Sequence, residues 1–168
     1  MPSAIYIAAI EAFDQAEWQH SEPNEIETLG TTIIIEGRMI GGSLRVFDGT
    51  LARFLAFGHG DVEPEHKARV NELFARVNPL LPNGSLEIDP LVGAVCRASV
   101  NVEGLLDMDG HLRDRGGARA MMLDLALAAT GVYSRLLPAI EAVEGGADIQ
   151  EVVDSLGLAH ASTIPSRS

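Results

Sequence analysis

The fold of this chain follows from residues 43–57, SLRVFDGTLARFLAF. Asp48-Gly49 is the strongest short hairpin signal, because a two-residue type I′ turn needs a positive φ at both of its central residues. Branched and aromatic side chains flank the turn, which predicts strands over residues 43–47 and 50–57. The centre of the fold is therefore predicted to be an antiparallel β-sheet.

The same turn predicts the register of the hairpin. A two-residue loop pairs Phe47 with Thr50 and Val46 with Leu51. Residues 50–57 carry apolar side chains on both faces, whereas a strand with one solvated face alternates apolar and polar residues. We therefore expect both faces of this strand to be at least partly covered.

Three further strands are predicted outside the hairpin. Residues 31–38 are rich in β-branched side chains, and Gly41-Gly42 is predicted to turn this strand back into the hairpin. Downstream, residues 85–89 and 94–103 alternate apolar and polar side chains, as strands with one buried face do.

Four segments carry apolar residues at helical spacing. They cover residues 4–18, a second helix that starts near Asp61 or Glu63 and ends at Asn78 before Pro79, a long helix from Gly116 or Gly117 to Glu144, and residues 149–156. Pro138 lies inside the long helix and lacks a backbone N–H, so we expect a kink or a split there.

The core element order is thus α-β-β-β-α-β-β-α, which predicts a single α+β domain over residues 1–158. Its antiparallel five-stranded sheet is packed by helices. Residues 159–168 are predicted to form a flexible C-terminal tail.

Composition narrows the possible partners. The chain has 168 residues, of which 24 are Asp or Glu and 12 are Lys or Arg, so its formal net charge is −12. An apolar fraction of 46% is too high for a disordered chain. An acidic surface repels phosphate backbones, so we expect no nucleic-acid partner.

The sequence also indicates a compartment. Cys96 is the single cysteine, so no intramolecular disulfide can form, which fits a reducing environment. Residues 1–11 have no basic leader, and Asp124 and Arg135 interrupt the apolar region 120–140. We therefore expect no signal peptide, no transmembrane helix and no membrane partner, and we expect a cytoplasmic protein.

The densest polar cluster is residues 59–66, HGDVEPEH. Its potential metal ligands include His59, Asp61, Glu63 and His66. Their spacing matches no known ligand motif, and acidic residues beside a helix start complement the helix dipole, so we predict no metal site here. Whether these four side chains converge is left open by the sequence.

Residues 107–110, DMDG, begin like a calcium-binding loop. An EF-hand needs Gly at its sixth position and Glu at its twelfth, where this chain has Leu112 and Ala118, so we reject that site.

Arg113, Arg115 and Arg119 form the one local basic patch in the sequence, beside Gly116-Gly117 at a helix start. Guanidinium groups and backbone amides there could hold a phosphate or carboxylate, so these arginines are the candidate anion-binding residues. The alternative is a solvated loop with Asp114 near a capping position.

Catalytic chemistry has little support in the sequence. Cys96 falls on the apolar face of its strand, which favours a buried structural thiol, and no serine lies in a Gly-x-Ser-x-Gly context. We therefore predict no catalytic residue and no cofactor, and expect that the chain is not an enzyme.

Several stretches resemble the YbjN-like family, a bacterial branch described as sensory transduction regulators, which has the type III secretion chaperone-like fold. The stretches are Val70-Asn71-Glu72-Leu73, Val77-Asn78, residues 84–90 with Gly93, Tyr133, residues 136–140, Val143 and Gly145-Gly146. The resemblance spans residues 31–156 and lies in element order and core positions rather than in a catalytic signature.

This resemblance implies an antiparallel sheet packed by helices and, commonly, a homodimer. The chaperones of this fold bind partner proteins and do no chemistry. The leading hypothesis is therefore a non-enzymatic, protein-binding or regulatory domain. The alternative is a small-ligand or anion sensor that uses Arg113, Arg115 and Arg119.

Overall fold

The computed structural model describes residues 2–158, so the predicted tail at 159–168 lies outside the described residues. The helices within this range are α1 (Ala4–Gln15), α2 (Lys67–Val77), α3 (Arg115–Glu144) and α4 (Ile149–Ser155). The strands are β1 (Thr28–Ile35), β2 (Arg38–Phe47), β3 (Leu51–Phe57), β4 (Ser85–Asp89) and β5 (Gly93–Asn101). The strands form one sheet in the order β1-β2-β3-β5-β4, and every pairing is antiparallel. The predicted α+β class and five-stranded antiparallel sheet are confirmed.

The turn between β1 and β2 lies at Glu36-Gly37, where φ is +51° and +78°. The predicted turn at Gly41-Gly42 is wrong, because both glycines lie inside β2. They make room for aromatic rings: a Cβ on Gly41 would come within 2.5 Å of the Phe57 ring, and one on Gly42 within 2.3 Å of the Phe54 ring.

The predicted turn at Asp48-Gly49 is present, with φ of +49° and +68°, but the register predicted from it is wrong by one residue. Phe47 pairs with Leu51 rather than with Thr50. The N–H of Thr50 donates to the Phe47 carbonyl at 3.0 Å, while its own carbonyl accepts from Val102 at 2.8 Å. Thr50 is therefore an extra residue in the loop. A one-residue shift moves every later side chain to the opposite face of the sheet.

One face of the sheet packs against the helices. All four helices contribute to a single core with this face, whose larger buried side chains are Tyr6, Phe13, Leu44, Phe54, Leu73, Tyr133, Ile140 and Val152. On the opposite face of β3, Leu51, Arg53, Leu55 and Phe57 are half-buried. The expectation that both faces of β3 are partly covered is thus confirmed.

The end of α1 and the start of α2 differ most from prediction. α1 ends at Gln15 rather than at residue 18, because Glu17 has a φ of +56°. α2 begins at Lys67 rather than near Asp61 or Glu63, because residues 64–66 form a separate turn in which the His66 N–H donates to the Glu63 carbonyl at 2.8 Å.

α3 is not split at Pro138, and its 30 residues continue to Glu144. By length and composition alone this helix could cross a membrane: an 18-residue window has a mean hydropathy of 1.3, and 44% of it is buried. The core helix of a globular domain has the same composition, and α3 packs along the sheet with Tyr133 and Ile140 fully buried.

Candidate functional site

The second face of the sheet, called here the outer face, consists of the even-numbered side chains of β1 and the odd-numbered side chains of β2, β3, β4 and β5. None of these side chains packs into the hydrophobic cluster to which the four helices contribute, although one of them, Val95, is fully buried. Within residues 2–158, therefore, no helix covers the outer face. The packing of the core thus leaves this face without a partner element within the described residues.

The outer face differs in charge from the rest of the chain. Although Asp and Glu outnumber Lys and Arg 24 to 12 overall, the outer face carries three arginines, Arg45, Arg53 and Arg97, and two acidic residues, Glu87 and Asp89 of the edge strand β4. Arg97 forms an ion pair with Glu87 on the neighbouring edge strand β4. The other two arginines form no ion pair with any residue of the described chain.

Arg45 and Arg53 lie directly opposite each other on neighbouring strands. Their guanidinium carbons lie 4.7 and 4.8 Å from the centre of the Phe47 ring, within the range of a cation–π interaction. Arg53 also donates from Nε to Ser99 Oγ at 3.4 Å. Like charges placed directly opposite on a sheet destabilise it, so this pair favours an added anionic group. We call these three residues the arginine–phenylalanine cluster.

The opposite end of the outer face is apolar. Ile34 and Met39 pair across β1 and β2 and are 70% and 72% exposed. Leu55 and Phe57 continue this surface and are half-buried. The outer face therefore offers an apolar end and a basic end side by side, a combination typical of surfaces that bind other proteins.

The structure places the arginines predicted from the sequence against α1. Arg115 donates from Nε to Glu11 Oε2 at 2.9 Å, and Arg119 approaches the same oxygen at 3.9 Å. The hydrogen bond from Arg115 lowers the pKa of Glu11, and Glu11 raises the pKa of Arg115. The Arg113 backbone N–H donates to the Leu105 carbonyl at 2.9 Å. A small anion would have to compete with Glu11, so anion binding here stays a prediction.

The polar cluster at residues 59–66 does not gather around one point. His59 Nε2 lies 2.8 Å from Glu144 Oε2, and the His59 backbone N–H donates to Tyr133 Oη at 2.8 Å. His59 thus ties the end of β3 to α3. Among the described residues, neither Asp61 nor Glu63 joins it in a group of potential metal ligands.

Such a group does occur at Asp107, Asp109 and His111, all of which are exposed. Asp107 Oδ1 accepts backbone hydrogen bonds from Asp109 at 2.9 Å and from His111 at 2.8 Å. These bonds lower the pKa of Asp107, the bond from His111 most strongly. Such bonds are typical of a tight loop, and they explain why these three side chains lie close together without a bound ligand.

Cys96 and Tyr133 lie buried in the core, and burial shifts the pKa of each. Burial raises the pKa of the Cys96 thiol to about 12. Burial likewise raises the pKa of Tyr133 to about 12, against the lowering effect of its hydrogen bond with the His59 backbone. Both groups are therefore neutral near pH 7, and Cys96 is a buried thiol, as predicted.

Sequence reasoning missed the arginine–phenylalanine cluster. In the predicted register Arg45 would lie opposite Ala52, with Arg53 on the other face of the sheet. The cluster can be recognised only when Thr50 is counted as part of the loop. This arrangement is accompanied by a hydrogen bond at 2.8 Å between the Val102 N–H and the Thr50 carbonyl, two residues that are far apart in sequence.

A comparison with models of known protein families found no match, and neither did one with curated proteins. Among solved structures, the chain is similar to the Yersinia pestis type III secretion chaperone SycH, determined in complex with a stable fragment of YscM2. The two chains are 12% identical, and the match has a TM-score of 0.40 and covers 74% of this chain and 98% of that chain. A likeness of this size bears on neither the family nor the partner of the chain.

Proposed function

We propose that this chain is a non-enzymatic, protein-binding domain that receives a partner protein on the outer face of its sheet. The observation that carries the proposal is that face itself. It is not covered by any helix within the described residues, and it is apolar at one end and basic at the other on an acidic chain. The resemblance of the sequence to YbjN-like regulators with a type III secretion chaperone-like fold supports a binding role of this kind.

A non-enzymatic role also agrees with the titratable groups that the structure describes. Cys96 and Tyr133 are buried and neutral at physiological pH. Of the arginines predicted from the sequence, Arg115 and Arg119 contact the carboxylate of Glu11. We propose a cytoplasmic location, where partner proteins would be met in a reducing environment.

The binding proposal is tested by capture of partners from native lysate with paired variants. Ile34→Asp/Met39→Asp places two charges on the apolar end of the outer face, and Leu91→Asp/Met108→Asp places two charges on exposed apolar residues elsewhere. All four side chains are at least 70% exposed, so both variants should fold. A reproducible partner lost only with the first variant supports the proposal. Equal recovery by both variants, or no partner for the unchanged chain, contradicts it.

We further propose that two copies of the chain associate. β1 is an edge strand of the sheet and carries the 70% exposed Ile34, and exposed apolar edge strands pair with other chains. Size-exclusion chromatography with light scattering should give the mass of two chains at tens of micromolar. A mass of one chain, 17.9 kDa, at that concentration contradicts the dimer.

A further inference from the structure

We propose that the arginine–phenylalanine cluster binds a short acidic segment of a protein partner, in which adjacent carboxylates are followed by apolar side chains. This inference rests on the proposed protein-binding function and names the chemistry of the partner. Arg45, Phe47 and Arg53 receive the carboxylates, and Leu55 and Phe57 receive the apolar residues.

The first argument is the hydrogen-bonding capacity that the cluster retains. The contact of the two guanidinium groups with the Phe47 ring, at 4.7 and 4.8 Å from its centre, provides their N–H groups with no oxygen acceptor. Within residues 2–158, the Arg45 side chain donates no hydrogen bond, and Arg53 donates one, to Ser99. The planar edge of a guanidinium matches a carboxylate in a two-point hydrogen bond. Two such edges held at one ring are suited to adjacent carboxylates.

The second argument is charge. Arg45 and Arg53 are directly opposite on the sheet, and neither has an acidic partner in the described chain, so their repulsion is relieved when a ligand brings negative charge. Arg45 and Phe47 line a depression of about 420 Å³ together with Glu25, Glu27 and Asp48, and none of these carboxylates forms an ion pair with Arg45. Glu27 instead accepts a hydrogen bond from Ser3 Oγ at 2.8 Å. The partner's carboxylates are therefore received on the Arg53 side of the cluster, away from this depression.

The third argument limits the size and class of the ligand. Charges separated by more than about 8 Å are largely screened at physiological ionic strength, so a short segment that lies over Arg53, Leu55 and Phe57 is affected mainly by the charges nearest to it. A long polyanion would extend over Glu25, Glu27 and the rest of a chain with a net charge of −12. Leu55 and Phe57, half-buried beside the cluster, offer apolar contact that a phosphate polymer cannot use. These conditions favour an acidic peptide over a nucleic acid.

The test uses the full chain and a short fluorescein-labelled peptide in which adjacent glutamates precede leucine and isoleucine. A matched peptide carries glutamines instead. Fluorescence anisotropy compares the unchanged chain with Arg45→Gln/Arg53→Gln and with the control Lys67→Gln/Arg135→Gln. The control removes the same charge from exposed residues outside the outer face. Thermal melts verify that each variant folds.

We expect the glutamate peptide to lose affinity by about tenfold or more in the Arg45→Gln/Arg53→Gln variant and to change by less than about twofold in the control. The glutamine peptide should bind the unchanged chain as weakly as the glutamate peptide binds the variant. Equal binding of the two peptides, equal effects of the two variants, or no binding by the unchanged chain overturns the inference. An oligonucleotide that binds with the same arginine dependence also overturns it.

Failure of this inference can be separated from failure of the proposed function. If lysate capture is lost with Ile34→Asp/Met39→Asp but persists with Arg45→Gln/Arg53→Gln, the outer face binds a protein whose recognition is not acidic. That result supports the proposed protein-binding function and contradicts the proposal that the partner binds through an acidic segment.

Discussion

Gly41 and Gly42 are adjacent in β2 but face opposite sides of the sheet. Gly42 lies under Phe54, which is fully buried in the core, and Gly41 lies under Phe57, which is half-buried on the outer face. We predict that Gly42→Ala lowers the free energy of unfolding by about 1–3 kcal/mol, because a ring in a close-packed core cannot move away.

Gly41→Ala is the matched control, with the same chemical change in the same strand. Gly41→Ala should lower the free energy of unfolding by clearly less than Gly42→Ala does, because the Phe57 ring can turn toward solvent. Urea denaturation measures the free energy of unfolding of both variants. Equal decreases would show that the burial of the neighbouring ring does not determine how much stability the added methyl group removes.

His20 provides a prediction about pH. Its Nδ1 lies 2.9 Å from the Ser21 carbonyl and its Nε2 lies 3.0 Å from Asp14 Oδ1. The bond to Ser21, followed by the one to Asp14, raises the pKa of His20. A raised pKa means that the folded state favours the protonated ring. The stabilisation is therefore fully present below the unfolded pKa of about 6.5 and is lost as pH rises through the folded pKa.

The corresponding variant is His20→Gln. Compared with the unchanged chain, it should be less stable at about pH 5.5, and this difference should shrink by about pH 9. Thermal melts at both pH values measure it. A difference that grows with pH would contradict the sign derived from these contacts.

Glu11 tests the anion site predicted from the sequence. Because Glu11 is bound by Arg115 and approached by Arg119, inorganic phosphate should not raise the melting temperature of the unchanged chain. In Glu11→Gln both guanidinium groups lose their charged partner, so phosphate at about 10 mM should raise the melting temperature by linkage. An increase in the unchanged chain would instead favour an anion sensor.

At the scale of elements, Pro138 interrupts the hydrogen bonding of α3. Proline has no backbone N–H, so the carbonyl of Ser134 lacks the helical hydrogen bond that residue 138 would otherwise donate. Pro138 is exposed, so alanine there removes no core packing. We predict that Pro138→Ala raises the free energy of unfolding by about 1–3 kcal/mol. Arg135→Ala, an exposed change on the same helix, should stay within about 0.5 kcal/mol. Urea denaturation of both variants is the measurement, and a loss of stability in Pro138→Ala would contradict this account.

The elements differ in how well the sequence predicts them. The bounds of β4 were predicted correctly, because alternation between Leu86 or Ile88 and acidic neighbours is a local signal. The turn before β2 was predicted at the wrong place. Gly41 and Gly42 make room for aromatic rings of β3, and this contact between strands is not visible in the local sequence. Local patterns thus predicted element type and order, while bounds and register depended on contacts between elements.

The same limit applies to the candidate site. Arg113, Arg115 and Arg119 stand out in the sequence because they are close together along the chain, and the structure uses two of them to hold α1. Arg45 and Arg53 are separated by a turn and meet only through the correct register. Proximity in sequence is therefore a poor guide to a surface assembled across strands.

At the scale of the whole molecule, the net charge of −12 should affect stability. Self-repulsion destabilises a compact acidic chain, and salt screens it. We predict that the melting temperature at pH 7 rises between about 10 mM and 500 mM sodium chloride. The rise should shrink as pH approaches the isoelectric point of about 4.7. A fall with salt at pH 7 would show that the ion pairs outweigh the repulsion.

The separation of the arginines from the carboxylates has a kinetic consequence. Acidic side chains belong mainly to helices and connecting segments, whereas the outer face carries three arginines against two acidic residues, both on the edge strand β4. Such an arrangement gives the molecule a permanent dipole moment, which turns the outer face toward an approaching negative body before any contact is made. The association rate constant would then fall with increasing ionic strength, even for a partner whose bound lifetime depends mostly on apolar contacts.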